Sequence, residues 1–124
     1  MLEEMRRLIE GDPGQLPPPN VLRRMYSEKL AWSLNETGDF EEAVAMYDQA
    51  ILAAPEDLRG VTKARGGQAN SRFKLGDIAG AIATTEDVLA KCLENEWDDL
   101  AIAAEANLRI MNGEEGAFEP YEVV

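Results

Sequence analysis

The bases of this sequence are gathered where they could recognise an acid. Arg59, Lys63, Arg65, Arg72 and Lys74 fall in a stretch, 59–74, that holds no Asp or Glu. The chain as a whole has 12 Lys and Arg against 24 Asp and Glu, a net charge of −12. Read as a helix, the stretch brings Arg59, Lys63, Gly66, Gly67, Asn70 and Lys74 onto one face. Such a strip suits a carboxylate or an acidic peptide. The cations supply charge-assisted hydrogen bonds, Asn70 supplies an amide, and the paired glycines would let a ligand backbone come close. The same bases could instead neutralise acids on adjacent helices, such as Glu28, Glu36 and Asp99. Both readings stand at this stage.

Catalytic chemistry finds less support. The chain has no His, which removes the commonest general base and metal ligand and with them any Ser–His or Cys–His nucleophile. The single Cys, Cys92, is in register with Val88 and Leu89 and reads as an inert core thiol. The carboxylate pairs Glu41/Glu42, Glu56/Asp57, Asp98/Asp99 and Glu114/Glu115 stand at helix starts or in the C-terminal tail, where acids cap helices and complement their dipoles. No run sets carboxylates alternately around a Gly for calcium, no Cys or His cluster suits zinc, and Gly66-Gly67 does not follow a strand as a phosphate loop would. The expectation is no enzyme, no metal and no cofactor.

The strip needs helices to position it, and the punctuation predicts them. Leu2 to Glu10 reads as a short helix stopped by Gly11-Asp12-Pro13-Gly14, and Pro17-Pro18-Pro19 as a stiff extended connector. Asn20 is placed as an N-cap. The helix after it has a stripe of Leu22, Met25, Tyr26, Leu30, Ser33 and Leu34. A second helix carries Phe40, Ala43, Val44, Tyr47, Ala50 and Ile51 and ends at Ala54-Pro55. The helix of the strip runs from about Asp57 to Leu75. Its stripe of Val61, Ala64, Gln68, Ser71 and Leu75 is weak, and each interior Gly costs it about 1 kcal/mol. A fourth helix carries Ile78, Ala81, Ile82, Thr85, Val88, Leu89 and Cys92. A fifth follows an apparent capping box, Asn95 with Asp98, and presents Trp97, Leu100, Ala101, Ala104, Leu108 and Met111 up to Gly113. The organisation expected is 1–19 as leading helix and connector, 20–112 as the helical domain, and 113–124 as an acidic tail with Phe118 and Tyr121 as its large apolar groups.

Two segments repeat: Gly38-Asp39-Phe40-Glu41-Glu42-Ala43 and, 38 residues later, Gly76-Asp77-Ile78-Ala79-Gly80-Ala81. Self-similarity at such a period marks stacked helical hairpins. The first unit resembles a tetratricopeptide repeat: Leu30, Ala31, Leu34, Gly38, Asp39, Phe40, Ala43, Tyr47, Ala50 and Pro55 fall where that family places its apolar, small and terminating residues. The second unit matches in its second helix, through Ile78, Ala81 and Val88. It departs in its first, with Arg65, Gln68 and Arg72 where the family is apolar. The resemblance implies an all-α, right-handed solenoid of antiparallel helix pairs, about five to six helices in all. It implies a concave face that binds peptides or proteins without catalysis, with Lys63, Gly66, Asn70 and Lys74 facing the groove. Some members clamp a ligand's terminal carboxylate with Lys and Asn on the first helix; Glu28 and Trp32 occupy those places here, so that clamp is not expected. Trp32 is either an aromatic anchor for a partner or packs against the N-terminal segment.

The expected function is therefore a binding module for a protein or peptide, acidic in character, through Arg59, Lys63, Asn70, Lys74 and Trp32. The surplus of acid argues against nucleic acid and anionic membranes as partners. No apolar run is long enough to span a bilayer, and the acidic start, Met1-Leu2-Glu3-Glu4, does not read as a signal peptide. One Cys cannot form an internal disulfide, which fits a reducing, cytoplasmic compartment. The alternative is an acidic inhibitor or antitoxin-like protein that covers a basic target. A third reading is a homodimer through Ile102, Ile110 and Met111 of the last helix.

Overall fold

A computed structural model describes residues 17–113. The leading helix Leu2 to Glu10 and the tail from Glu114, with Phe118 and Tyr121, lie outside the described residues. Five helices and no strand occur among those described: α1 (Pro19–Glu36), α2 (Phe40–Ala53), α3 (Leu58–Lys74), α4 (Ile78–Glu94) and α5 (Asp98–Met111). Connections of three or four residues force neighbours to fold back on each other. Each helix packs on the next, and α3 also touches α1 and α5. The expected all-α stack of hairpins is present.

The turns after α1 and α3 share one geometry. Gly38 and Gly76 take φ of 88° and 97°, and the residue after each donates back to the helix, Asp39 N to Leu34 O at 2.8 Å and Asp77 N to Arg72 O at 3.0 Å. Only glycine enters that region without strain. Asp77 then caps α4 by accepting from Gly80 N at 3.2 Å. Asp39 makes no such cap bond; its carboxylate accepts from Thr37 Oγ1 at 2.9 Å instead. The turn into α5 repeats the geometry with Glu96 at φ 58° and Trp97 N donating to Cys92 O at 2.9 Å.

Several local expectations are corrected. Helix α1 begins at Pro19, because proline is pre-organised for the first helical position and its missing N–H would be unpaired there anyway. Asn20 is thus inside the helix and donates its amide to the Glu56 carboxylate. The supposed capping box does not form: Asn95 closes α4, donating Nδ2 to Lys91 O at 2.9 Å, and α5 starts after Trp97 without a side-chain cap. On α1 the buried line is Leu22, Arg24, Ser27, Glu28 and Ala31, while Leu30 is 38 % exposed. A small residue at 31 lets the helix close on α2, and Arg24 and Glu28 are buried together because they neutralise each other.

The core is built mainly from alanine. Ala31, Ala50 and Ala64 surround Tyr47, the largest fully buried side chain. Ala69, Ala81 and Met111 form a second cluster, and Val88, Cys92, Leu100, Ala101 and Ala104 a third. Small residues bring helix backbones close, so packing rather than bulk supplies the cohesion. Met111 therefore belongs to the core and not to an outward face, whereas Ile102 is 65 % exposed. Helix α3 is central, and its buried residues, including Thr62, Gly67, Ala69 and Asn70, extend well beyond the predicted stripe. Of that stripe, Leu75 is exposed.

Candidate functional site

Helix α3 starts where Asp57 Oδ1 accepts from Gly60 N at 3.2 Å. Its flank toward α1 carries a charge cluster. Arg24 Nη1 donates to Glu28 Oε2 at 2.6 Å. Arg24 Nε lies 3.1 Å from Asp57 Oδ2, an ion pair out of line for a hydrogen bond. Lys63 Nζ lies 3.6 Å from Glu28 Oε1. These residues, with Arg59 and Lys29, line a cleft of about 210 Å³ between α1 and α3. Burial pushes the Glu28 carboxyl above its ordinary pKa, against the pull of Lys63 and Arg24.

Arg59 reaches the other way. Its Nη2 donates to Asp99 Oδ2 on α5 at 2.6 Å, and its guanidinium stands 5.8 Å from the centroid of the Trp97 ring. The hydrogen bond from Arg59 holds Asp99 below the usual carboxylate range. Arg65 pairs with Asp87 on α4 at 2.8 Å. The bases of α3 thus do neutralise acids on neighbouring helices, Glu28 and Asp99 among them.

A second, smaller cleft of about 30 Å³ opens between α3 and α5 over α4. Lys63, Gly66 and Asn70 line it from α3, Val88 from α4, and Ala104 and Asn107 from α5. Asn70 and Asn107 are 1 % and 5 % exposed, and the Oδ1 atom of each is buried without a hydrogen-bond partner in the protein.

Of the residues singled out from the sequence, Lys63 lines both clefts, Arg59 the first and Asn70 the second. Lys74 lies half-buried in the last turn of α3, Trp32 is half-buried on α1, and neither lines these clefts. The two glycines differ in role. A Cβ on Gly67 would meet the Tyr47 ring at 2.5 Å, so this glycine makes room for α2, while it also lines the second cleft. Gly66 faces the second cleft. Burial raises the Cys92 thiol pKa, in keeping with a thiol packed in the core. Reading the sequence missed Arg24 and Asn107, and named Glu28 only as an acid that the bases of α3 could neutralise. The i, i+4 spacing of Arg24 and Glu28 was a legible signal; Asn107 carried none, being one polar residue in an alanine-rich helix.

Among the described residues no three of His, Cys, Asp or Glu gather as metal ligands, and no helix is long and apolar enough to cross a membrane. A comparison with protein families matches residues 28–57 to the tetratricopeptide repeat, the unit formed by the second half of α1, all of α2 and the turn into α3. Comparisons with curated proteins and with solved structures found no significant match. With that repeat over its first hairpin and further helices packed in order behind it, the chain is a tetratricopeptide-repeat-like, all-α protein, carrying a repeat type that serves protein–protein interaction.

Proposed function

We propose that the chain is a non-catalytic module that holds a protein or peptide segment of acidic character along α3, in the groove on the concave side of the repeat. Arg59, Lys63, Asn70 and Lys74 make the contacts, and Trp32 is an outlying aromatic anchor. The observation that carries this reading is that two clefts flank α3 and share Lys63. From Lys63 to Lys74 the helix rises about 17 Å, a length that about five extended ligand residues span. The Arg59–Asp99 pair in the way is an exposed one, its side chains 44 % and 55 % exposed, and such pairs contribute little to stability, so a ligand carboxylate can take over Arg59. Lys63 lies 3.6 Å from the largely buried Glu28 and, as an ammonium with three donors, can meet a ligand carboxylate beside that contact. The lone thiol favours a reducing, cytoplasmic setting for this binding.

The second reading, an acidic inhibitor that covers a basic target, rests on the net charge of −12 and predicts binding through exposed acids with a steep salt dependence. Affinity purification from source-cell extract separates the two. The Lys63→Glu/Lys74→Glu variant should fold, by circular dichroism, and lose partners that the wild type retains. Retention of every partner by the folded variant would refute the groove reading.

A further inference from the structure

We propose that the cleft between α3 and α5 is a subsite for a primary carboxamide, the head group of an Asn or Gln side chain on the bound partner. The partner as its source rests on the binding reading above. Asn70 and Asn107 both line this cleft, and each has a buried carbonyl oxygen to which no protein group donates. An acceptor left unpaired away from water is unfavourable, so the cleft calls for a ligand rich in donors. The hydroxyl of Thr85 cannot serve, because it donates to Ala81 O at 2.8 Å.

The chemistry of the walls narrows the class. A carboxylate has no hydrogen to offer the two oxygens. An ammonium has three, but no carboxylate lines the cleft to balance it, and Lys63 is the one charged residue there. A main-chain amide has a single N–H, with its carbonyl turned the opposite way. A primary carboxamide carries two N–H bonds on one nitrogen and an oxygen beside them that can accept from an Asn amide or from Lys63. Size agrees: about 30 Å³ admits two or three water-sized groups at roughly 10–15 Å³ each, and a carboxamide head has three heavy atoms. Val88, Leu100, Ala103 and Ala104 offer apolar wall to the methylene stem behind it. Gly66 keeps the space open, since a Cβ there would come within 3.7 Å of Val88 Cγ1.

The test uses the full chain, nitrogen-15 labelled, titrated with propionamide and, separately, with propionate and propylammonium. The side-chain amide signals of Asn70 and Asn107 should shift saturably with propionamide alone. Asn107→Ala should weaken the response at Asn70 about tenfold, the loss of one hydrogen bond. The wild-type titration decides the matter even if that variant does not fold. Absence of a saturable shift with propionamide, as when water alone fills the cleft, would overturn the proposal, and so would an equal response to propionate or propylammonium. No partner enters this measurement, so its failure leaves the partner-binding test untouched. Conversely, propionamide binding beside full partner retention by Lys63→Glu/Lys74→Glu would keep the subsite and sink the groove reading.

Discussion

Two adjacent glycines of α3 should respond to the same substitution with opposite signs. At Gly67 a new Cβ would lie 2.5 Å from Cζ and Oη of Tyr47 and 2.7 Å from Cε1, about 1 Å inside the roughly 3.5 Å of a comfortable carbon contact. Tyr47 is 0 % exposed, and its ring is rigid, so it cannot swing aside. Overpacking of this kind costs about 1–3 kcal/mol, here toward the upper end. Replacing a helix-interior Gly by Ala returns about 1 kcal/mol, leaving Gly67→Ala about 2 kcal/mol less stable than wild type. At Gly66 the new Cβ would sit 3.7 Å from Val88 Cγ1, an ordinary contact, so Gly66→Ala should be about 1 kcal/mol more stable. For a chain of this size, about 1 kcal/mol moves the melting temperature by roughly 3–5 °C. The two variants should therefore melt about 10 °C apart by circular dichroism at 222 nm. Tyr47→Leu in the Gly67→Ala background should recover at least about 1 kcal/mol relative to additivity. Equal melting temperatures for the two single variants would refute the packing assigned to α3.

Three further outcomes follow from the charge cluster and the turns. Because burial raises the Glu28 pKa, the folded state holds that proton more tightly than the unfolded chain does. Its contribution to stability is therefore lost as pH rises from the ordinary carboxylate value through the folded one. Urea unfolding should show Glu28→Gln gaining on wild type as pH rises above the ordinary carboxylate value; a wild type that gains on the variant would reverse the sign. Arg24 is 8 % exposed and faces both Glu28 and Asp57, so Arg24→Ala should lose about 3 kcal/mol by stranding buried charge. A loss under about 1 kcal/mol would mean that water already screens the cluster. Glu96 holds a φ of 58° in a turn where the equivalent residues are Gly38 and Gly76. Glu96→Gly should raise stability by about 0.5–1 kcal/mol by relieving that conformation, and a destabilised variant would show that the Glu96 side chain is needed.

The helices were legible because their ends are written in local chemistry: Gly38, Gly76 and Gly113 all take positive φ where a helix stop was expected. On α2 and α4 the apolar stripes gave most of the buried faces, since Ala43, Tyr47, Ala50, Ala81, Val88 and Cys92 are buried, although Ile78 at the start of the α4 stripe is exposed. On α1 and α3 the same reasoning caught only part of the buried face: Leu22, Ala64, Gln68 and Ser71 are buried as expected, whereas Leu30 and Leu75 are exposed. Periodicity sees apolar residues, and these helices also bury Arg24 and Glu28, which pair with each other, Thr62, whose hydroxyl donates to Leu58 O, and Asn70, which lines a cleft. Lys63 and Asn70 share a face as spacing required, yet the partition of that face into two clefts depends on α1 and α5. Tertiary placement decided it. The same holds for Gly67, whose role follows from a tyrosine twenty residues earlier in the chain.

The central claim is that a partner lies against α3, and a photo-crosslinking residue placed at position 63 tests it most directly. Position 63 opens on both clefts, whereas Glu42 is exposed in the first turn of α2 and serves as the outer reference. In source-cell extract, with folding checked by circular dichroism, the probe at 63 should form a discrete protein adduct that the probe at 42 does not. Adducts from position 42 with none from 63 would contradict the account and favour a target covered by the acidic outer surface.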